Sequence, residues 1–155
     1  MSPIMRSDYL RVLVCGGRDY NDAATVYDVL SSIHISEVAH GGALGADKLA
    51  DDWARQHWQT VSRRVYPADW NGPCDSSCRS GHRRYRDLGR PPQPGDQTYC
   101  PNAGPRRNQI MLDNFRPDLV IAFPGGRGTA DMVRRAVAAG VEVRQVPADQ
   151  NRNQT

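Results

Sequence analysis

Apolar positions along the chain fall into short β-branched runs separated by longer stretches in which they recur every three or four residues. The run Leu10–Cys15 reads as a buried strand closed by Gly16 and Gly17. A helix is predicted over 22–33, with Val26, Val29, Leu30 and Ile33 on one face. Residues 37–40 form a second strand that stops at Gly41 and Gly42. A helix over 46–58 turns Leu49, Ala50, Trp53, Ala54 and His57 inward, and 60–66 is a third strand. The strongest strand is 118–123, which runs into a glycine turn and a helix over 129–139. Gly140 caps that helix, and 141–146 is the last strand.

Strand and helix alternate, and uninterrupted apolar strands imply burial on both faces. The predicted fold is α/β: Rossmann-like and doubly wound, with a mainly parallel sheet of about five strands and helices on both faces. The pattern breaks between Trp70 and Arg106, where prolines and glycines crowd together and Leu88 is almost the sole aliphatic residue. This stretch is rich in Cys, Pro and Arg. The expected organisation is therefore one domain over 1–155, with an insert over 71–104 and a flexible tail over 148–155.

Composition narrows the class. The 155 residues carry 39% hydrophobic and 24% charged side chains, enough for one core and against general disorder. No apolar run approaches the roughly 18–20 residues of a membrane span, and the first residues lack a signal-peptide core. A cytoplasmic protein is expected. The net charge of +3 suits an anionic ligand without demanding nucleic acid.

Three predicted strands end in glycine clusters followed by helices. The first holds Gly16, Gly17, Arg18 and Asp19; the second Gly41, Gly42, Ala43, Gly45 and Asp47; the third Pro124, Gly125, Gly126, Arg127, Gly128 and Thr129. Glycine lets backbone approach a ligand closely, and helix starts offer free N–H groups to an anion. In an open parallel sheet these turns share the carboxyl edge, where ligands bind. One such turn is often no more than a tight connection, but three together fit a phosphate-bearing ligand. None carries the Gly-Lys-Ser/Thr ending of a nucleotide-hydrolysing P-loop, and no GxGxxG fingerprint with a downstream acid is present.

The segments GGRDY at 16–20, HGGALGAD at 40–47, PADW at 67–70, AGPRRN at 103–108 and AFPGGRGTADM at 122–132 resemble the YspA-type branch of the SLOG superfamily. That superfamily also holds the LOG phosphoribohydrolases and the single-strand-binding DprA fold. The resemblance implies a Rossmann-like domain that binds a nucleotide or a nucleotide-derived signal, and pairing into a homodimer or higher homo-oligomer. In LOG enzymes an Arg-Lys pair and a glycine motif are followed by a catalytic Glu. Arg107 and Asn108 stand at the pair, residues 124–129 match the glycine motif, and Met132 stands at the Glu. A thioether neither stabilises an oxocarbenium ion nor activates water. Asp131, one residue earlier, reaches the same place only if the helix start is turned by about 100°. Its plainer role is a carboxylate favoured by the helix dipole.

Two functions follow. The first is a binding module, a sensor or sequestering protein for a nucleotide-derived small molecule. The second is a LOG-type nucleotide N-glycosidic or phosphoribosyl hydrolase, with Arg107 on the phosphate and Asp131 or Asp47 as a displaced carboxylate. The missing Glu favours the first. Nucleic acid is not expected as the partner, although the arginines of the insert keep a single-strand reading third. Trp70, on a loop, is a better base-stacking candidate than Trp53, which sits at core spacing.

Cys74, Cys78, His82 and Cys100 all fall in the insert, whereas Cys15 reads as a small buried hydrophobe. Cys-x3-Cys-x3-His plus a later Cys makes a Cys3His set that suits structural zinc. A loop with free thiols and a disulfide are the alternatives. Zinc is preferred because a segment without aliphatic core needs a staple that a reducing compartment permits.

Overall fold

The computed structural model describes residues 9–148. The flexible tail expected over 148–155 lies, beyond its first residue, outside the described residues. The strands are β1 (Leu10–Cys15), β2 (Ile35–His40), β3 (Ser62–Val65), β4 (Arg84–Tyr85), β5 (Thr98–Tyr99), β6 (Leu119–Ala122) and β7 (Glu142–Gln145). The helices are α1 (Ala23–Ser31), α2 (Ala46–Gln56), α3 (Ala103–Phe115) and α4 (Arg127–Ala138). Five strands form one sheet in the order β3-β2-β1-β6-β7, with every pairing parallel. The expected α/β fold is the observed one.

Alternation along the central strands divides two cores. Val12 and Val14 of β1 join Leu119 and Ile121 of β6 against α1 and α2, through Val26, Leu30, Ala50 and Trp53. Leu13, Cys15, Val120 and Ala122 face the other way, onto Met111, Leu112 and Phe115 of α3 and Met132 and Ala136 of α4. Strand side chains alternate between faces, so one apolar run supplies both layers. Trp53 is core, as its spacing implies, and its indole N–H donates to Ser31 Oγ at 3.0 Å.

Two expectations need correction. The pattern assigned no helix to 103–115, because Gly104 and Pro105 look like loop residues. Both sit in the first turn of α3, where backbone N–H groups have no intrahelical acceptor, so proline costs nothing there. The edge strands are also not buried on both faces: all four residues of β3 are exposed, as are three of the four in β7. Only the middle of the sheet obeys the two-faced rule. The insert contributes the antiparallel pair β4–β5, on which the Arg86 guanidinium lies 4.9 Å from the centre of the Tyr99 ring.

The order of strands reverses between β1 and β6, and a crevice opens at such a switch point beyond the carboxyl ends. Gly45, between β2 and α2, holds φ +75°, and a Cβ there would lie 2.6 Å from the Arg18 carbonyl carbon. Gly140, after α4, holds φ +77° with open space around it. Gly45→Ala is expected to cost about 3 kcal/mol or more, and Gly140→Ala about 1 kcal/mol. Chemical denaturation of the two variants checks this; equal losses would mean that the close approach at Gly45 is unimportant.

Candidate functional site

Three strand-to-helix turns meet above β1 and are bonded to one another through main chain. Gly17 N–H donates to the Pro124 carbonyl at 2.9 Å, and the Gly17 carbonyl accepts from Ala46 N–H at 3.1 Å. A Cβ on Gly16 would come within 2.5 Å of Ala46 Cβ, and one on Gly125 within 2.6 Å of Gly17 N. The glycines are therefore needed for backbone to touch backbone. Between the turns lies a cleft of about 1150 Å³.

The structure brings Gly16, Gly17, Arg18, Asp19, Gly41, Gly42, Ala43, Asp47, Arg107, Asn108, Pro124, Gly125, Gly126, Arg127, Gly128, Thr129 and Asp131 to the walls of this cleft. Gly45 is not among them; it lies against Gly17 and Arg18 from behind. Trp70 lines the cleft, as do Pro101, Gly104 and Pro105, which sequence reasoning left in the structureless stretch. The signal for Gly104 and Pro105 was the AGPRRN motif beginning at Ala103; Pro101 had none.

The second turn is closed upon itself. The buried Asp47 carboxylate accepts from Gly41 N–H at 3.0 Å and Ala43 N–H at 3.2 Å, while Gly42 N–H donates to His40 Nδ1 at 3.0 Å. With Nδ1 an acceptor, His40 carries its proton on Nε2 and donates it to Asp51 at 2.7 Å. Burial pushes the Asp47 carboxyl up, against the two loop amides and the nearby Arg107. Burial, and then the Asp47 charge, also push the Cys15 thiol up to about 12, so Cys15 is an inert core residue.

Arg107 ties this turn to α3. Its Nη1 donates to the carbonyls of Gly41 at 2.7 Å and Tyr66 at 3.0 Å, and its Nε to Asn108 Oδ1 at 3.2 Å. Burial draws the guanidinium down from its ordinary value, with Asp47 opposing. Asn108, buried, donates through Nδ2 to the Gly128 carbonyl at 3.3 Å and to Asp131 Oδ2 at 3.0 Å. Asp131 accepts as well from Arg135 Nε at 2.8 Å and Arg134 Nη2 at 3.2 Å. Three donors thus hold this carboxylate. Met132 is wholly buried in the second core.

The third turn is open. The first helical bond of α4 runs from Ala130 N–H to the Gly126 carbonyl at 3.0 Å, and the amides of residues 125–129 have no acceptor among the described residues. Gly126 caps α4 without a side chain, and no acid occupies the first turn. By contrast, Asp22 caps α1 through Thr25 N–H at 3.2 Å. Unanswered N–H groups and the positive helix end face the cleft together, flanked by the exposed Arg127 and Arg18.

Beside the cleft, Cys74, Cys78, His82 and Cys100 present ligand atoms within 4.8 Å of one another and can hold a metal ion. His82 Nε2 lies 2.9 Å from Cys74 Sγ and 3.4 Å from Cys100 Sγ, and Cys78 Sγ lies 3.6 Å from Cys100 Sγ. All four cysteines are free thiols, so no disulfide joins the pair. Burial opposes ionisation of Cys100, yet the Arg106 guanidinium and the Asn102 amide outweigh it and bring the thiol down to about 6. Arg106 Nη1 reaches Cys78 Sγ at 3.2 Å and Cys100 Sγ at 3.3 Å, and Arg83 Nη1 reaches Cys74 Sγ at 3.6 Å.

No helix among the described residues is long and apolar enough to cross a membrane. Residues 10–72 match a family model described as the YspA, cpYpsA-related SLOG family. The chain is also 34% identical over 143 residues to the Gene 61 protein of Mycobacterium phage D29, covering 86% of this chain and 93% of that protein.

The His40–Asp51 contact has a consequence in acid. Burial opposes the ionised form of Asp51, but hydrogen bonds from Arg55, His40 and Arg63 outweigh it and hold the carboxyl well below the usual range. The unfolded chain, with an ordinary Asp near 3.9, then binds more protons than the folded one as pH falls. This contribution to stability is present above about pH 4 and lost below it. Asp51→Asn should lower the melting temperature at pH 7 and flatten its fall between pH 5 and pH 3. An unchanged acid limb would show that the carboxylate does not support this turn.

Proposed function

The chain belongs to the YspA-related SLOG family, and from that premise we propose that it binds a nucleotide or nucleotide-derived small molecule in the cleft, as a sensor or sequestering module. One observation carries the reading: the run of amides at 125–129, without acceptors among the described residues, at a helix start that has neither a side-chain cap nor an acid in its first turn. Such a start matches a phosphate, which supplies several acceptor oxygens and the negative charge that the helix dipole favours. Arg127 and Arg18 complete the anion site from solvent. Trp70 offers a half-buried ring on the opposite wall for a base.

Of the three glycine turns, the third is assigned to the phosphate and the second to shaping the wall, since its amides already serve His40 and Asp47. Arg107 and Asn108 act in this reading by positioning that wall and α4. Hydrolysis of an N-glycosidic bond stands second. Asp131 would have to leave its three donors to serve as the carboxylate, and Met132 supplies none.

We also propose zinc for the Cys3His group. Tetrahedral zinc places sulfur atoms about 3.8 Å apart and sulfur about 3.6 Å from nitrogen, close to most of the separations observed. Three thiolates exceed the charge of the ion by one, and Arg106 and Arg83 lie where they offset it. Four protein ligands close the coordination sphere, which is the arrangement of a structural site.

Incubation with nucleoside monophosphates, ADP-ribose, NAD and cyclic dinucleotides, followed by mass spectrometry of retained and free fractions, tests the binding reading. Intact retention is expected, weakened about three- to tenfold by Arg127→Ala through loss of a charge-assisted bond. Release of free base would instead establish the hydrolase. Native mass should show one zinc ion per chain, lost in Cys78→Ser; a chain that stays zinc-free when supplied with the ion would refute the metal assignment.

A further inference from the structure

We propose that the Cys3His metal centre sets the shape of the ligand cleft, so that metal binding and ligand binding strengthen one another. The inference rests on the nucleotide reading above for its ligand half. Its metal half stands on the geometry of one wall.

That wall has no hydrophobic anchor of its own. Among residues 71–102, Cys100 is the single buried residue. Its N–H donates to the Trp70 carbonyl at 2.8 Å, and its carbonyl accepts from the N–H of Ala103, the first residue of α3, at 3.1 Å. Pro101, next along, lines the cleft with Trp70 and Gly104. Gly104 sits so close beneath the Trp70 ring that a Cβ there would lie 2.9 Å from Cη2. The cysteine thus holds both the ring and the helix start that form this side of the site.

Arg106 and Arg107 extend the link. Arg106 reaches back to the sulfurs of Cys78 and Cys100, while Arg107 reaches across to the Gly41 and Tyr66 carbonyls. One turn of α3 is therefore fastened to the metal group on one side and to the second glycine turn on the other. An ion shared by Cys74, Cys78, His82 and Cys100 joins four points of the insert and immobilises that turn. Without it, Trp70 and the first turn of α3 rest on the hydrogen bonds of Cys100 and the packing of Gly104 on the Trp70 ring, beside an insert whose other residues are exposed or half-buried and open locally with ease. Because coupling between two binding sites is reciprocal, a ligand that needs the ordered wall raises metal affinity by the same factor.

The test compares the full chain loaded with zinc and stripped by a chelator, using AMP as the probe and amide hydrogen exchange as a second readout. Zinc should slow exchange at 100–108 while leaving β1 and β6 unchanged, and should tighten AMP binding about tenfold. Cys78→Ser should behave as the stripped form, with β1 and β6 still protected. Exchange at 100–108 that ignores zinc, or AMP affinity equal in the two forms, would overturn the inference, as would failure to take up zinc. If neither form binds AMP but zinc still slows exchange, the positioning of the wall stands and the nucleotide reading is what fails.

Discussion

Everything at the ligand edge depends on one meeting of main chains. Gly17 gives its N–H to the turn after β6 and its carbonyl to the start of α2, so three turns share a single bonded point. Side chains have no room there, as the positions of Gly16, Gly45 and Gly125 show. The glycines therefore matter first as packing, bringing helix starts from both faces of the sheet to one crevice. The proposed anion site follows from where those helices then begin.

The three turns are not equivalent. Peptide N–H groups cannot serve a ligand while they serve the protein. Asp47 and His40 close the second turn from within, and Asp51 fixes the tautomer of His40 that makes this possible. The third turn receives no such partner among the described residues, and its helix has a glycine where α1 has an aspartate. A pattern of three glycine-rich motifs thus resolves into one that shapes the wall, one that joins the turns and one left open.

Much of this was legible in the sequence. The apolar runs at 10–15 and 118–123 announced the central strands, and the spacing of Cys74, Cys78 and His82 announced a cluster that can hold a metal ion. Helix α3 was hidden because its first turn is written in Gly104 and Pro105, residues that a helix tolerates only there. The edge strands β3 and β7 misled in the other direction, since a strand with one neighbour does not need two buried faces. Which amides are occupied was beyond reach, because Asp47 and His40 choose their partners through the fold rather than through local spacing. Gly45, expected among the ligand contacts, falls outside the lining of the cleft because it packs against Gly17 and Arg18.

The insert alters this architecture without enlarging its core. It brings a two-stranded sheet and four side chains that can hold a metal ion to the side of the cleft, next to Trp70. The most direct test of the account is to follow backbone amide resonances while AMP is titrated into the full chain. The account predicts shifts concentrated at residues 125–129, with Gly41, Gly42 and Ala43 little changed because their N–H groups remain bonded to Asp47 and His40. Shifts centred on Gly41, Gly42 and Ala43 instead would contradict it.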